Sequence, residues 1–177
     1  MPGYWKKPRE TAETIRDGWL YTGDLGEIDE EGFLHITGRK KELIVTTGGK
    51  KVAPVHLEEL LTEDPLIAQA VVIGDAKNYL TALIVPDPKA LADELARQGI
   101  AAEPSDGGLT QPHVQALFKE RIHQRLAGLS SSEQIRRFTL LERPFTPESG
   151  ELTITLKLRR AIIAEHYADA IQAMYCH

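Results

Sequence analysis

The chain has 177 residues, 42% hydrophobic and 27% charged, a length that suits one medium domain plus a fragment or two small domains. Its formal net charge of −5 argues against nucleic-acid binding by the chain as a whole, so any basic patch must be local. A single cysteine excludes a disulfide framework, and the lack of an apolar signal or of a run of about 18 apolar residues predicts a cytoplasmic protein without a membrane span.

The first 40 residues do not predict a domain of their own. The stretch before Gly26 is rich in turn residues and shows few periodic apolar positions. Residues 26–39 predict two short strands joined by a turn over Asp29–Gly32, where Gly32 can take a left-handed conformation. Because a two-stranded hairpin is marginal in water, we expect residues 1–40 to belong to a larger domain.

The pattern changes after Lys41. Residues 42–46 predict a strand, and Pro54 in a first turn predicts a helix that Pro65 stops. The elements expected after it are strands at 67–75 and 79–87, a helix from Asp87 to Gly99, a loop at 100–112, a helix from His113 to about Gly128, a strand at 135–141 and an amphipathic helix starting near Lys157. Short strands mixed with helices indicate a compact α+β domain over residues 41–177.

The segment from Gly38 to Pro54 concentrates lysine, arginine and glycine in an otherwise acidic chain. It is not a Walker phosphate-binding loop, because Ile44 stands where the first glycine is needed and Lys51 where a serine or threonine is needed. The histidines are scattered, and no cysteine or carboxylate has metal-ligand spacing, so no metal site is predicted. Two interpretations remain: a solvated loop whose lysines aid solubility, or glycines that admit a ligand whose phosphates meet the lysines.

Three stretches in one order carry a family resemblance. They are residues 18–54, which contain YTGD and GRKKELI; residues 57–61, LEELL; and residues 149–160, SGELTITLKLRR. Together they resemble the C-terminal motifs of the adenylate-forming superfamily, which includes acyl-CoA synthetases, adenylation domains of peptide synthetases and firefly-type luciferases. The resemblance covers nearly the whole chain, and residues 79–100 with the LTITLKLRR ending resemble the long-chain fatty acid:CoA ligase branch most.

This resemblance implies a fold and a reaction. Residues 41–177 would be the small, mobile C-terminal lid, and residues 1–40 the β-hairpin tail of a large N-terminal AMP-binding domain. That large domain would carry the pyrophosphate loop, the adenine pocket, the acyl tunnel and the Mg²⁺ that accompanies ATP. The intact enzyme would convert a fatty acid and ATP to acyl-adenylate and then form a thioester with CoA, whereas the isolated chain is expected to be inactive.

The resemblance also implies nucleotide-binding residues and a hinge. Asp24 matches the acid that accepts hydrogen bonds from the ribose hydroxyls of ATP, with Thr22 in the same motif. Arg39 matches an arginine that contacts the nucleotide, and its planar fork suits paired oxygens. Lys41 matches the hinge about which the lid rotates between the two half-reactions. Without the resemblance, Asp24 reads as a turn residue.

A second set of residues matches the CoA side of the site. Gly48 and Gly49 match the glycine turn that lines the pantetheine tunnel, where a side chain would block the thiol. The chain has one residue more here than many relatives, and Gly49 is the preferred tunnel residue. Lys50 and Lys51 are expected to meet the CoA phosphates.

Lys157 matches the lysine that enters the active site for adenylate formation and stabilises the developing charge. Most relatives have glycine immediately before this lysine, whereas here Leu156 precedes it. An alignment anchored on Ser149-Gly150 would instead put Glu151 in the lysine's place. Lys157 is preferred because residues 158–160 match a basic helix start and because a glutamate would not stabilise an anionic transition state. The alternative role of Lys157 is that of a surface lysine.

Several alternatives stay open. The chain is a fragment of an acyl-CoA synthetase, a stand-alone lid that complements a separately encoded N-terminal half, or a non-enzymatic binding module. Within the enzymes, a medium-chain or aryl-CoA ligase is the second choice. Expected partners are fatty acid, ATP, CoA and the chain's own large domain, with peripheral membrane contact allowed and nucleic acid excluded.

Overall fold

The computed structural model describes residues 1–100 and 108–176 and divides the chain into two compact units, Met1–Glu42 and Leu43–His177. Most of the predicted loop at 100–112 lies outside the described residues, since these stop at residue 100 and resume with a short 3₁₀ turn over Gly108–Thr110.

The unit Met1–Glu42 contains the predicted hairpin and a helix that was not predicted. Its elements are α1 (Pro8–Thr14), β1 (Ile15–Arg16), β2 (Trp19–Leu20), β3 (Asp24–Ile28) and β4 (Leu34–Arg39). Strands β3 and β4 pair antiparallel around the predicted turn, where Gly32 has a φ of 89°. Helix α1 buries no residue, so it has no apolar periodicity by which the sequence could reveal it.

The unit Leu43–His177 is built on a three-stranded sheet. Its elements are β5 (Ile44–Val45), β6 (Lys51–Val52), α2 (Pro54–Thr62), β7 (Ile67–Ile73), β8 (Leu80–Pro86), α3 (Pro88–Arg97), α4 (Pro112–Leu126), β9 (Ile135–Leu140), α5 (Arg160–His166) and α6 (Ala168–Tyr175). Strand β8 lies at the centre, antiparallel to β7 and parallel to β9. The predicted mixture of short strands and helices is confirmed.

Helices cover both faces of this sheet. One core combines sheet residues such as Ala82 with Leu57 of α2, Leu91 of α3 and Phe118 of α4. The opposite core packs Leu83 against side chains of α5, α6 and the segment between β9 and α5, namely Ile163, Ile171, Met174, Phe145 and Leu152. Every residue of β8 is buried, which explains why its sequence is nearly continuous in apolar residues rather than alternating.

The prediction of one helix starting near Lys157 is wrong in two respects. Helix α5 begins at Arg160 and ends at His166, and Tyr167, with a φ of −109°, separates it from α6. The residues before α5 alternate Leu152, Ile154, Leu156 and Leu158, a period of two that favours extended backbone over helix. An antiparallel bridge between Leu152 and Leu158 accordingly closes this stretch into a hairpin.

Candidate functional site

Three predicted nucleotide-binding residues meet at the open end of the β3–β4 hairpin. Asp24 and Arg39 are antiparallel partners, and Nε of Arg39 lies 3.1 Å from Oδ1 of Asp24. The backbone N–H of Asp24 donates to Oγ1 of Thr22 at 3.1 Å, which orders the segment that enters β3. The structure therefore places a carboxylate, a guanidinium and a hydroxyl together on one surface.

Lys41 lies directly after this hairpin. It is exposed in a 3₁₀ turn over Lys40–Glu42, and the N–H of Lys40 donates to the carbonyl of Gly23 at 2.8 Å. That bond fixes the start of the turn to the strand entry opposite it. The next residue after the turn, Leu43, opens the second compact unit, so Lys41 stands two residues from the boundary between the units.

Gly48 and Gly49 form an exposed turn between β5 and β6. The N–H of Gly49 donates to the carbonyl of Thr46, and the N–H of Thr46 to the carbonyl of Lys50. Gly49 has a φ of 74°, a left-handed conformation that costs other residues free energy, whereas Gly48 has an ordinary φ. A Cβ on Gly49 would meet no other atom within 4 Å, so its surroundings are open.

A neighbouring loop braces this turn. Oγ1 of Thr47 donates to Oδ1 of Asn78 at 2.7 Å, and the N–H of Val45 donates to Oδ1 of Asp75 at 3.0 Å. Lys50 and Lys51 are exposed and make no ion pair with any residue of the described ranges. The turn is thus held on one side and presents its glycines and lysines to solvent on the other.

Lys157 is exposed on the hairpin over residues 152–158, which we call the Lys157 hairpin. The N–H of Thr153 donates to the carbonyl of Lys157 at 2.9 Å, and the N–H of Lys157 donates to Oγ1 of Thr153 at 3.0 Å. At the tip, the side chains of Ile154 and Leu156 are 96% and 68% exposed. Leu156 has a φ of 60°, the left-handed conformation that favours glycine.

Glu151, the alternative to Lys157 if the motif is matched at Ser149-Gly150, is 0% exposed. Its carboxylate accepts hydrogen bonds from Nδ1 of His166 at 3.0 Å, Oγ of Ser149 at 2.7 Å and Nη2 of Arg143 at 3.3 Å. Burial by itself raises the pKa of Glu151, but the hydrogen bonds from His166 and Ser149 and the charge of Arg143 outweigh it and lower the pKa. Glu151 is therefore an ionised, covered side chain.

A second covered carboxylate lies at the other end of the Lys157 hairpin. Nη1 and Nη2 of Arg160 each donate to a separate oxygen of Glu58 at 2.6 Å, a bidentate pair that joins α5 to α2. The N–H of Val72 in β7 also donates to Glu58, at 2.7 Å. The first turn of α5 is thus fixed to both a helix and the sheet.

Local sequence patterns carry little signal for these buried anchors. Glu58 lies in the LEELL stretch, to which the resemblance assigns no role, His166 lies outside the three stretches, and Glu151 enters only as the alternative to Lys157. Their partners lie 15 and 102 residues away along the chain, so the pairs become visible only once the fold is known. No hydrogen bond or ion pair between described residues joins the Lys157 hairpin to the Gly48–Gly49 turn.

Residues 1–100 and 108–176 contain neither a metal-binding cluster nor a membrane-spanning helix. In this part of the chain no three His, Cys, Asp or Glu side chains cluster closely enough to hold a metal ion. None of its helices is both long and apolar enough to cross a membrane.

Known proteins resemble this chain along nearly its whole length. It is 48% identical over 174 residues to the long-chain-fatty-acid–CoA ligase FadD15 of Mycobacterium tuberculosis, and 34% identical over 193 aligned residues to the long-chain-fatty-acid–CoA ligase ACSBG1 of Rattus norvegicus. Each match covers 98% of this chain but only 29% and 27% of the relative. The chain thus spans less than a third of the length of these relatives.

Comparisons with solved structures and with a family model also match this chain to AMP-binding enzymes. The adenylation domain of a carboxylate reductase from Mycobacterium chelonae matches with a TM-score of 0.76 at 31% identity, covering 98% of this chain and 26% of that one. The didomain of a carboxylic acid reductase from Segniliparus rugosus in complex with AMP also matches with a TM-score of 0.76 at 31% identity, covering 99% and 23%. The model of the AMP-binding enzyme C-terminal domain matches residues 41–177. The chain therefore belongs to the AMP-binding enzyme C-terminal domain family.

Proposed function

We propose that this chain is the C-terminal part of an ATP-dependent long-chain fatty acid:CoA ligase, and that Lys157 is its catalytic lysine. The observation that carries the proposal is the contrast in exposure between Lys157 and Glu151, the two candidates for the catalytic position. Lys157 is exposed on a projecting hairpin, whereas Glu151 is fully covered and bonded on several sides. Only an exposed side chain is free to enter a site on another domain.

The conformation of Leu156 supports the same assignment. The superfamily resemblance implies a glycine before the catalytic lysine, and Leu156 has the left-handed backbone that glycine takes most easily. Gly150, before Glu151, is also left-handed, so backbone conformation alone does not separate the two candidates. Exposure and charge do, because an ammonium stabilises the negative charge that develops during adenylate formation and a carboxylate does not.

Nucleotide binding is proposed for the open end of the β3–β4 hairpin. The Asp24 carboxylate would accept hydrogen bonds from ribose hydroxyls, and the Arg39 guanidinium beside it would donate to the nucleotide. Thr22 would hold Asp24 in place through its bond to the Asp24 N–H. Because Arg39 and Asp24 already contact each other, one ligand can reach both side chains.

CoA is proposed to pass the turn between β5 and β6. Gly48 and Gly49 would leave the passage open to the thiol, and the ammonium groups of Lys50 and Lys51, which form no ion pair among the described residues, would meet CoA phosphates. Lys41, at the end of the first unit, would be the hinge of the lid, with the boundary between the domains at residues 40 and 41. Mg²⁺ would arrive with ATP on the large N-terminal domain, which also supplies the acyl site.

The intact enzyme is also assigned a cellular location in this proposal. We place it in the cytoplasm, with peripheral membrane contact as the route to its acyl substrate. The isolated chain should not catalyse either half-reaction, because a lid without the large domain has no means of holding acid and ATP in reacting geometry.

The test is a lysine substitution in the full-length ligase. Lys157→Ala should slow acyl-adenylate formation, measured by pyrophosphate exchange with a long-chain fatty acid, by about 100-fold. Thioester formation from preformed acyl-adenylate and CoA should stay near the wild-type rate. The matched control is Lys89→Ala, which removes another exposed lysine of the lid and should leave both half-reactions intact. Undiminished pyrophosphate exchange in Lys157→Ala would overturn the proposal.

A further inference from the structure

The Lys157 hairpin has an exposed tip and a covered base. Ile154, Leu156 and Lys157 are exposed at the tip, while the base is held on both sides by carboxylates with little or no exposure. Glu151 immediately precedes the hairpin, and Glu58 binds Arg160, the second residue after it. Two buried carboxylates at its base therefore restrict the motion of the hairpin.

Backbone hydrogen bonds tie these anchors to the hairpin itself. The N–H of Arg159 donates to the carbonyl of Glu151 at 2.8 Å, so the residues flanking the hairpin are joined across its base. Within the hairpin, Thr153 and Lys157 exchange the two bonds described above. A fixed Glu151 therefore fixes the strand that ends at Lys157.

The Glu151 side chain has no access to a substrate, since it is 0% exposed. Burying a carboxylate costs free energy unless the charge is bonded, and here His166, Ser149 and Arg143 supply the bonds. His166 is the last residue of α5, so its bond connects the start of the hairpin to the far end of that helix. This cluster of Glu151, His166, Ser149 and Arg143 holds one side of the hairpin base, and the Glu58–Arg160 pair holds the other side.

We propose that Glu151, together with His166, is a positioning residue that presents the Lys157 ammonium at a fixed place for adenylate formation. The inference rests on the proposed role of Lys157. Reacting groups must be held within a fraction of an ångström of the productive geometry, and ordering a free loop at each turnover would cost conformational entropy. A hairpin that is already closed at its base avoids most of that cost.

The kinetic test compares Glu151→Gln with Glu148→Gln in the full-length ligase. Glu148 is an exposed carboxylate three residues away and serves as the matched control for charge. Glu151→Gln should lower kcat of pyrophosphate exchange by about tenfold or more, with KM for ATP changed by less than about threefold. Thioester formation from preformed acyl-adenylate should change little, because that step does not use Lys157. Glu148→Gln should match the wild type in kcat of pyrophosphate exchange, in KM for ATP and in the rate of thioester formation.

The second readout is hydrogen exchange in the 177-residue chain. Glu151→Gln should speed amide exchange at Thr153, Lys157 and Arg159 by about tenfold, while the amides of β8 keep their protection. If Glu151→Gln also exposes β8, the lid has lost its fold, and His166→Gln then gives the decisive comparison. His166→Gln removes the hydrogen bond from the partly exposed His166 side chain to Glu151. It should also slow adenylate formation while leaving thioester formation nearly unchanged.

The possible outcomes separate the two proposals. If Lys157→Ala is slow in adenylate formation but Glu151→Gln and His166→Gln equal the wild type, the positioning role is overturned and the catalytic role stands. If the folded glutamine variants slow both half-reactions equally, the cluster serves the fold alone and the inference fails. If Lys157→Ala is fully active, the proposed function itself fails.

Discussion

At the scale of single residues, charged side chains in this chain occupy two different settings. Asp24 and Arg39 pair on a largely exposed surface, where an ion pair contributes only about 0–1 kcal/mol to stability. Glu58 and Glu151 are buried, and each is held by several donors. The exposed pair is therefore dispensable for folding and available to a ligand, whereas the buried carboxylates are committed to the fold.

The covered Glu151 predicts a specific pH dependence of stability. Its pKa is lowered in the folded chain below the ordinary value of 4.5, although burial acts in the opposite direction, because His166, Ser149 and Arg143 favour the charged form. A lowered folded-state pKa adds stability that is fully present above the unfolded-state pKa and is lost as the pH falls through the folded-state pKa. The free energy of unfolding of the wild type minus that of Glu151→Gln should therefore be largest near pH 7 and shrink below about pH 4.5.

Urea denaturation at a series of pH values from about 3 to 7 measures this difference. Glu148→Gln provides the baseline, since this exposed side chain has no bonded partner among the described residues and its stability should follow the wild type throughout. A stability difference for Glu151→Gln that stays constant with pH would mean that the charge of Glu151 contributes nothing and that the effect is one of packing.

At the scale of helices and strands, local sequence predicted elements that carry their own stop and start signals. Helix α3 has Asp87 as N-cap, and its Oδ1 accepts from the N–H of Ala90 at 2.8 Å as the sequence indicated. Strand β8 was visible as an apolar run, and the β3–β4 turn as a glycine after acidic residues. In each case the signal lies within a few residues of the element.

Apart from α1, which buries no residue, the sequence prediction failed where an element depends on distant partners. The start of α5 is set by the bond between Arg160 and Glu58, 102 residues apart, and by the bridge that keeps Leu152–Leu158 extended. The break at Tyr167 accompanies an edge-on contact of its ring with Phe145, at 5.8 Å between centroids. For the site, motif resemblance gave Asp24, Arg39 and Lys157, but the buried anchors of the Lys157 hairpin required the fold.

The glycine turn between β5 and β6 allows the effect of backbone strain to be separated from blockage of the proposed thiol passage. Gly49→Asn should remain stable within about 1 kcal/mol, because asparagine tolerates the left-handed conformation and the surroundings are open. Its side chain should nevertheless slow thioester formation in the full-length ligase by about tenfold or more, because it occupies the passage. Pyrophosphate exchange should stay near the wild-type rate.

Gly32→Asn is the matched control for Gly49→Asn. Gly32 also has a positive φ, 89°, and open surroundings, but it lies at the β3–β4 turn, the end of that hairpin opposite to Asp24 and Arg39, the proposed nucleotide-binding residues. It should leave both half-reactions unchanged. Equal thioester rates for Gly49→Asn and Gly32→Asn, with both proteins folded, would exclude Gly49 from the thiol passage.

At the scale of the whole molecule, the two units differ in how they use apolar residues. The unit Leu43–His177 has two hydrophobic cores, whereas within Met1–Glu42 the only buried residue is Gly38. Large apolar side chains of that first unit stay exposed, namely Trp5, Trp19, Leu20, Tyr21, Ile28, Phe33, Leu34 and Ile36. Exposed apolar surface of this extent indicates a missing partner, and the proposed large N-terminal domain would supply it.

This difference predicts that the unit Leu43–His177 keeps its stability without the first unit. A chain of residues 43–177 should unfold with a free energy within about 1 kcal/mol of that of the 177-residue chain in urea, because the deleted unit contributes no buried apolar side chain. Binding of a hydrophobic dye should fall, since the exposed tryptophans and their neighbours are removed. A loss of more than about 2 kcal/mol would show that Met1–Glu42 stabilises the unit Leu43–His177, and the proposed assignment of Met1–Glu42 to another domain would then fail.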